Sequence, residues 1–305
     1  MSVLPREIYD NILLFTDTDT CIRMDNLYCV KKIYKPNNWT TFIRTNNLKG
    51  MKYLHSNKVG SPTIFHSELA IRRNKMELLN FFIEIGNTDE NLLEYAVECG
   101  NLTAVKMLVE NNIKIDEFSV TIAIEKNYFK MFIFLVSKGA PLIDSMTIAC
   151  TLNRIKFVKF LISFGIEVED FDFEEAVRGG HLELVKFLVE SCGINVTPEA
   201  LEEAVMSDSI KMVKYISKHN KIFNEALLVS IQYSSPNISI FLINEGTPIT
   251  LNCILQAVER DSLGLIKLFI EKDKQIFLDN IDEIIDNSWS YDMINLIEFT
   301  LIDRT

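Results

Sequence analysis

Along most of the chain, apolar residues recur at the 3.6-residue spacing of an amphipathic helix, in short runs parted by polar or Gly-containing breaks. Leu182, Val185, Leu188 and Val189, with Lys186 on the outer side, form one run; Leu102, Val105, Leu108 and Val109, with Lys106, form another. Each follows a shorter run that ends on a small residue, as in NLLEYAVECG and FEEAVRGG, where Ala lets a neighbouring helix approach closely. The breaks fall at Gly100-Asn101, Asn127-Tyr128, Gly180-His181, Asp208-Ser209 and Asp261-Ser262. Gly86, Gly139, Gly165 and Gly246 stand where a left-handed C-cap would close the second run. The pattern predicts pairs of short helices.

These pairs repeat. Anchored on the residue that closes the first run, copies begin at Phe42, Ala70, Ala96, Ala123, Ala149, Ala176, Ala204, Ser230, Ala257 and Ile285, every 26 to 28 residues. One such hairpin cannot bury its own apolar stripe, so copies must stack, and the fold class expected is an all-α solenoid.

The segments Ala176-Val177, Gly180-His181-Leu182, Val185-Lys186-x-Leu188-Val189 and Gly139-Ala140 resemble the ankyrin repeat, over about residues 39–300. The period departs from the usual 33 or so, and the Thr-Pro-Leu-His opening is absent. The resemblance therefore implies β-hairpin fingers reduced to simple loops. It also implies a concave binding face just before and two residues after each anchor. That gives Tyr95, Ile122, Ile148, Glu175, Glu203, Val229 and Gln256, with Arg72, Glu98, Glu125, Thr151, Arg178, Met206, Gln232 and Glu259. An apolar strip at Tyr95, Ile122 and Ile148, continued by Glu175 and Glu203, suits an apolar and basic protein partner; helix packing is the other use open to these apolar residues.

Residues 3–34 do not fit the period. Leu4-Pro5 opens a helix with Pro in its first turn, Ile8, Ile12 and Leu13 share one face, and a TDTDT break with N-cap candidates follows. This opening resembles the F-box. The resemblance implies that Leu4, Pro5, Ile8, Ile12 and Leu13 dock on the Skp-type adaptor of a cullin ubiquitin ligase. The alternative is a plain helical cap over the first repeat. Either way a module at 1–38 precedes an array of about nine to ten repeats at 39–305.

Composition narrows the function. Net charge is −11, the wrong sign for a chain that neutralises phosphates, so no nucleic-acid partner is expected. The charge is uneven: residues 1–58 carry nine Lys/Arg against five Asp/Glu, or +4, leaving −15 for the rest. Six scattered cysteines, Cys21, Cys29, Cys99, Cys150, Cys192 and Cys253, show no CxxC pair and read as reduced thiols of an intracellular, cytoplasmic protein. No run approaches 18 apolar residues, and the N-terminus lacks a signal-peptide pattern, so no membrane partner is expected. With 38 Ile and 25 Asn, the short-period array resembles those of giant DNA viruses of amoebae, which would place it in host cytoplasm.

Chemistry is sparse. No phosphate-loop, dinucleotide, zinc-protease or nucleophile-elbow motif is present, and His55, His66, His181 and His219 fall in distant repeats. His181 is expected to hydrogen-bond backbone between helices. The pairs Glu174-Glu175 and Glu202-Glu203 read as a solvated helix face, since adjacent helical residues point apart. The expectation is a monomeric, non-enzymatic interaction scaffold with no cofactor, catalytic residue or metal. It either links a target to a ubiquitin ligase or binds and assembles without one.

Overall fold

The computed structural model describes residues 38–58, 60–219 and 224–302. The N-terminal module, with Leu4, Pro5, Ile8, Ile12 and Leu13, lies outside the described residues. Among the described residues all regular structure is helical and there is no strand, which makes this an all-α helical repeat solenoid. No described helix is long and apolar enough to cross a membrane.

The chain divides into two compact units, Met1–Ser145 and Met146–Thr305. The first contains α1 (Asn38–Thr45) and α2 (Leu48–Ser56), α3 (Ile64–Arg72) and α4 (Met76–Glu84), α5 (Leu92–Glu98) and α6 (Leu102–Glu110), and α7 (Glu117–Glu125) and α8 (Phe129–Ser137). The second holds α9 (Ser145–Thr151) from its second residue on and α10 (Ile155–Ser163), α11 (Asp170–Arg178) and α12 (Leu182–Cys192), and α13 (Pro198–Met206) and α14 (Ile210–Ile216). It then has α15 (Asn224–Gln232) and α16 (Pro236–Asn244), α17 (Leu251–Glu259) and α18 (Leu263–Lys272), a short α19 (Lys274–Asp279), and a last pair, α20 (Ile281–Asp286) and α21 (Tyr291–Ile302). Within each unit, first helices pack on first helices and second on second: α1, α3, α5 and α7 in one row, α2, α4, α6 and α8 in the other. In the second unit α11, α13, α15 and α17 form the first row, and α14, α16, α18 and α21 follow one another in the second.

One backbone device makes each hairpin. Four residues past the anchor the chain turns left-handed, at Asn46, Asn74, Gly100, Asn127, Asn153, Gly180, Asp208, Ser234 and Asp261, with φ between 50° and 71°. The anchor carbonyl then accepts from the N–H five residues on, as in Lys75 to Ala70 at 2.8 Å, His181 to Ala176 at 3.0 Å and Ser262 to Ala257 at 2.9 Å. The next carbonyl accepts from the left-handed residue itself, as in Gly180 to Val177 at 2.8 Å. This is a Schellman closure, which uses up the orphan carbonyls of the first helix and aims the chain into the second. The expected caps at Gly86, Gly139, Gly165 and Gly246 close second helices in the same way, with φ of 73° to 95°.

The core follows the register. The anchor alanines Ala70, Ala96, Ala123, Ala149, Ala176, Ala204 and Ala257 are fully buried. At the eighth hairpin Ser230 replaces Ala, its hydroxyl donating to the Leu227 carbonyl and sharing a 2.7 Å bond with Ser239. In α12 the buried stripe is Leu184, Val185 and Leu188, with Leu182 and Val189 half-buried at its edges. Burying each large side chain contributes about 1.5–3 kcal/mol. In the last hairpin Ile284, not Ile285, is the buried anchor. Trp289, five residues on, donates from Nε1 to the Glu259 carbonyl at 3.3 Å.

Candidate partner-binding face

The first helices of each unit present a common face. Its residues alternate with the buried anchor positions, so the helix turn itself decides which side chains project. Just before the anchor, Tyr95 and Ile122 in the first unit, and Ile148, Glu175, Glu203, Val229 and Gln256 in the second, are all half-buried. Two after the anchor, Arg72, Glu98, Glu125, Thr151, Arg178, Met206, Gln232 and Glu259 are all exposed.

Several of these residues bridge neighbouring repeats, and the bridges follow one rule. The exposed residue of one repeat reaches the half-buried residue of the next: Arg72 Nε donates to the Tyr95 hydroxyl at 2.7 Å, with the guanidinium 5.6 Å from the ring centroid. Thr151 donates to Glu175 Oε2 at 3.3 Å. Arg178 binds Glu203 through two nitrogens, at 2.8 and 2.7 Å, and also contacts Glu175. The hydrogen bonds from Arg178 hold the Glu203 carboxyl below its ordinary range, and Glu203 in turn pushes Arg178 up. Part of the predicted site is therefore committed to holding adjacent hairpins in register. Because the Arg178 side chain is about half exposed, solvent screens the pair and its contribution to stability is small.

The neighbouring glutamates are less satisfied. Glu174 is raised by burial and by Glu199, Glu203 and Asp170. Glu202 is raised by burial and by Glu225 across the α13–α15 contact. In the first unit Glu94 is raised by burial and by Asp116. Burial opposes the charge on Asp116 as well, but the N–H of Ser119, which it caps at 2.9 Å, keeps its carboxyl low.

The imidazoles are engaged locally. His181 Nε2 meets the Thr151 carbonyl at 2.8 Å, the inter-helix bond expected of it. His66 Nδ1 accepts from the Thr63 N–H at 3.0 Å, and burial lowers its pKa. His55 edges onto Phe81 and His219 lies against Tyr215. Glu175 and His181 thus each have a structural partner. No group of three His, Cys, Asp or Glu side chains among the described residues is placed to hold a metal. Cys99, Cys150, Cys192 and Cys253 are free thiols, and burial pushes Cys150 up to about 12. An open cleft of about 580 Å³ lies beside Arg72, Cys99 and Thr103.

Two features escaped the sequence analysis. Phe65, Phe118 and Phe171 stand five residues before their anchors, in the first turn of α3, α7 and α11, and are 54 to 58% exposed. Their spacing of 53 residues, two repeats each time, is the signal that could have found them. On the second helices, Lys106, expected on the outer side, and likewise Lys159 and Lys214, lie over the aromatic ring of the following repeat. Lys106 covers Phe134 at 5.7 Å, Lys159 covers Phe187 at 4.6 Å and Lys214 covers Phe241 at 5.5 Å, each an inter-repeat cation–π contact.

No family model matches the chain, and no curated protein matches it.

Proposed function

We propose that this chain is a non-enzymatic protein-interaction scaffold of the short-repeat ankyrin type, binding protein through the first-helix face of each unit. The observation that carries this is the uniform presentation of one row of half-buried and one row of exposed side chains by successive first helices. Such a face binds an extended partner by many small contacts. Exposed Phe65 and Phe118 on the first unit, and Phe171 on the second, supply aromatic anchors. The carboxylates around Glu174, Glu199 and Glu202 favour a partner that is basic as well as apolar.

The sharper form is a substrate adaptor, in which the F-box-like segment engages the Skp-type adaptor of a host ubiquitin ligase while the array selects the target. The test is a pull-down with purified adaptor. Binding by the wild-type chain and its loss in Leu4→Asp/Ile8→Asp is the expected result. Absence of binding, or equal binding by both, leaves an interaction or assembly protein without a ligase link. If targets captured by the chain are retained by Phe118→Asp/Phe171→Asp, the face itself is wrongly assigned.

A further inference from the structure

The last helix carries two opposed faces. Met293, Ile297 and Leu301 are buried, and α21 packs on α18. On the opposite side Tyr291 is 77% and Phe299 71% exposed, flanked by exposed Asp292, Asn295 and Glu298. Here two large aromatics sit among carboxylates.

The first hairpin is the electrostatic opposite. Residues 38–58 hold Arg44, Lys49, Lys52 and Lys58 and no acid, whereas residues 273–302 hold seven Asp/Glu against one Lys. Arg44, Lys49, Lys52 and Lys58 are all exposed. In α2, Lys49 and Lys52 lie three residues apart and therefore on one face. Both α2 and α21 are second helices, and a lysine over an aromatic ring already joins second helices in this protein, as with Lys159 and Phe187, there with the lysine on the earlier repeat. A lysine stem covers a ring while its ammonium reaches a carboxylate beside it. The basic face of α2 and the aromatic, acidic face of α21 have complementary chemistry for that contact.

We propose that copies of this chain associate head to tail, the outer face of α21 in one copy seating against the basic face of α2 in the next. The contact is heterologous, so it extends into chains of molecules unless the rotation closes a ring. It replaces the monomer that the sequence alone suggests.

Sedimentation velocity of the full chain tests this. At about 20 mM salt the weight-average mass should rise with concentration past that of a dimer, and at about 500 mM, where the Debye length is only a few ångströms, it should fall back toward the monomer. Lys49→Glu/Lys52→Glu and Tyr291→Ser/Phe299→Ser change exposed residues only, and each should weaken association about tenfold or more. Mixed together, the two variants retain one intact end each and should form heterodimers but nothing longer. A wild-type chain that stays monomeric at high concentration and low salt overturns the proposal. Association that survives Lys49→Glu/Lys52→Glu also overturns it, since a symmetric contact through α21 alone would then be at work.

Discussion

The left-handed residue that closes each first helix is constrained by its positive φ. Asn46, Asn74, Asn127 and Asn153 use asparagine there, Gly100 and Gly180 use glycine, and Asp208, Ser234 and Asp261 accept residues less suited to φ near 50°. Glycine adopts this conformation without a Cβ clash, so the two classes should respond oppositely to substitution. Gly180→Ala is expected to lower stability by about 1 kcal/mol, and Asp208→Gly to raise it by about 0.5–1 kcal/mol, through backbone strain alone. Urea unfolding of both variants checks this; changes of the same sign would mean that the positive φ is not what these residues are selected for.

At the scale of the helix, stability rests on the three-residue stripe that each second helix inserts between neighbours. Leu188 has no exposed surface and lies in the stripe of α12. Leu188→Asp places an unpaired charge there, and a loss of several kcal/mol is expected, enough to melt the adjoining hairpins. Unchanged helical circular dichroism and thermal stability would contradict the register. Much of this element level was legible in the sequence, because the anchor Ala and the Gly caps are dictated by close approach and by positive φ, which few residues satisfy. The partners of exposed side chains were not legible. Arg178 reads as a binding-face residue and Lys159 as an ordinary surface residue by pattern, and only the offset between stacked hairpins shows that each reaches into the next repeat. The last anchor was misread by one residue because Ile284 and Ile285 are identical in type, and the choice is made by α20 packing on α17. The exposed phenylalanines of α3 and α7 were missed for a related reason: a large apolar residue in a helix is ordinarily assigned inward.

At the scale of the molecule, the period runs through Ser145 without a break, so the division into two units has no counterpart in the sequence pattern. Charge is the other whole-molecule property, and it was visible from the start in the basic front and acidic remainder of the chain. Backbone-to-backbone hydrogen bonds stay within each hairpin among the described residues: every Schellman bond joins residues a few positions apart, and no strand ties one repeat to another. Removing Val177–Ala204, 28 residues, and joining Ala176 to Val205 would keep the helical phase of both flanks. That shortened chain is expected to fold with the same helicity per residue, checked by circular dichroism and gel filtration; loss of helix beyond the deleted segment would show that the layers are not interchangeable. The closure also bears on ancestry. Recombination out of step by one period adds or deletes a whole layer and leaves the backbone-to-backbone hydrogen bonds of the remaining layers intact, so a gene of this kind can change length in a single event and still encode a foldable chain.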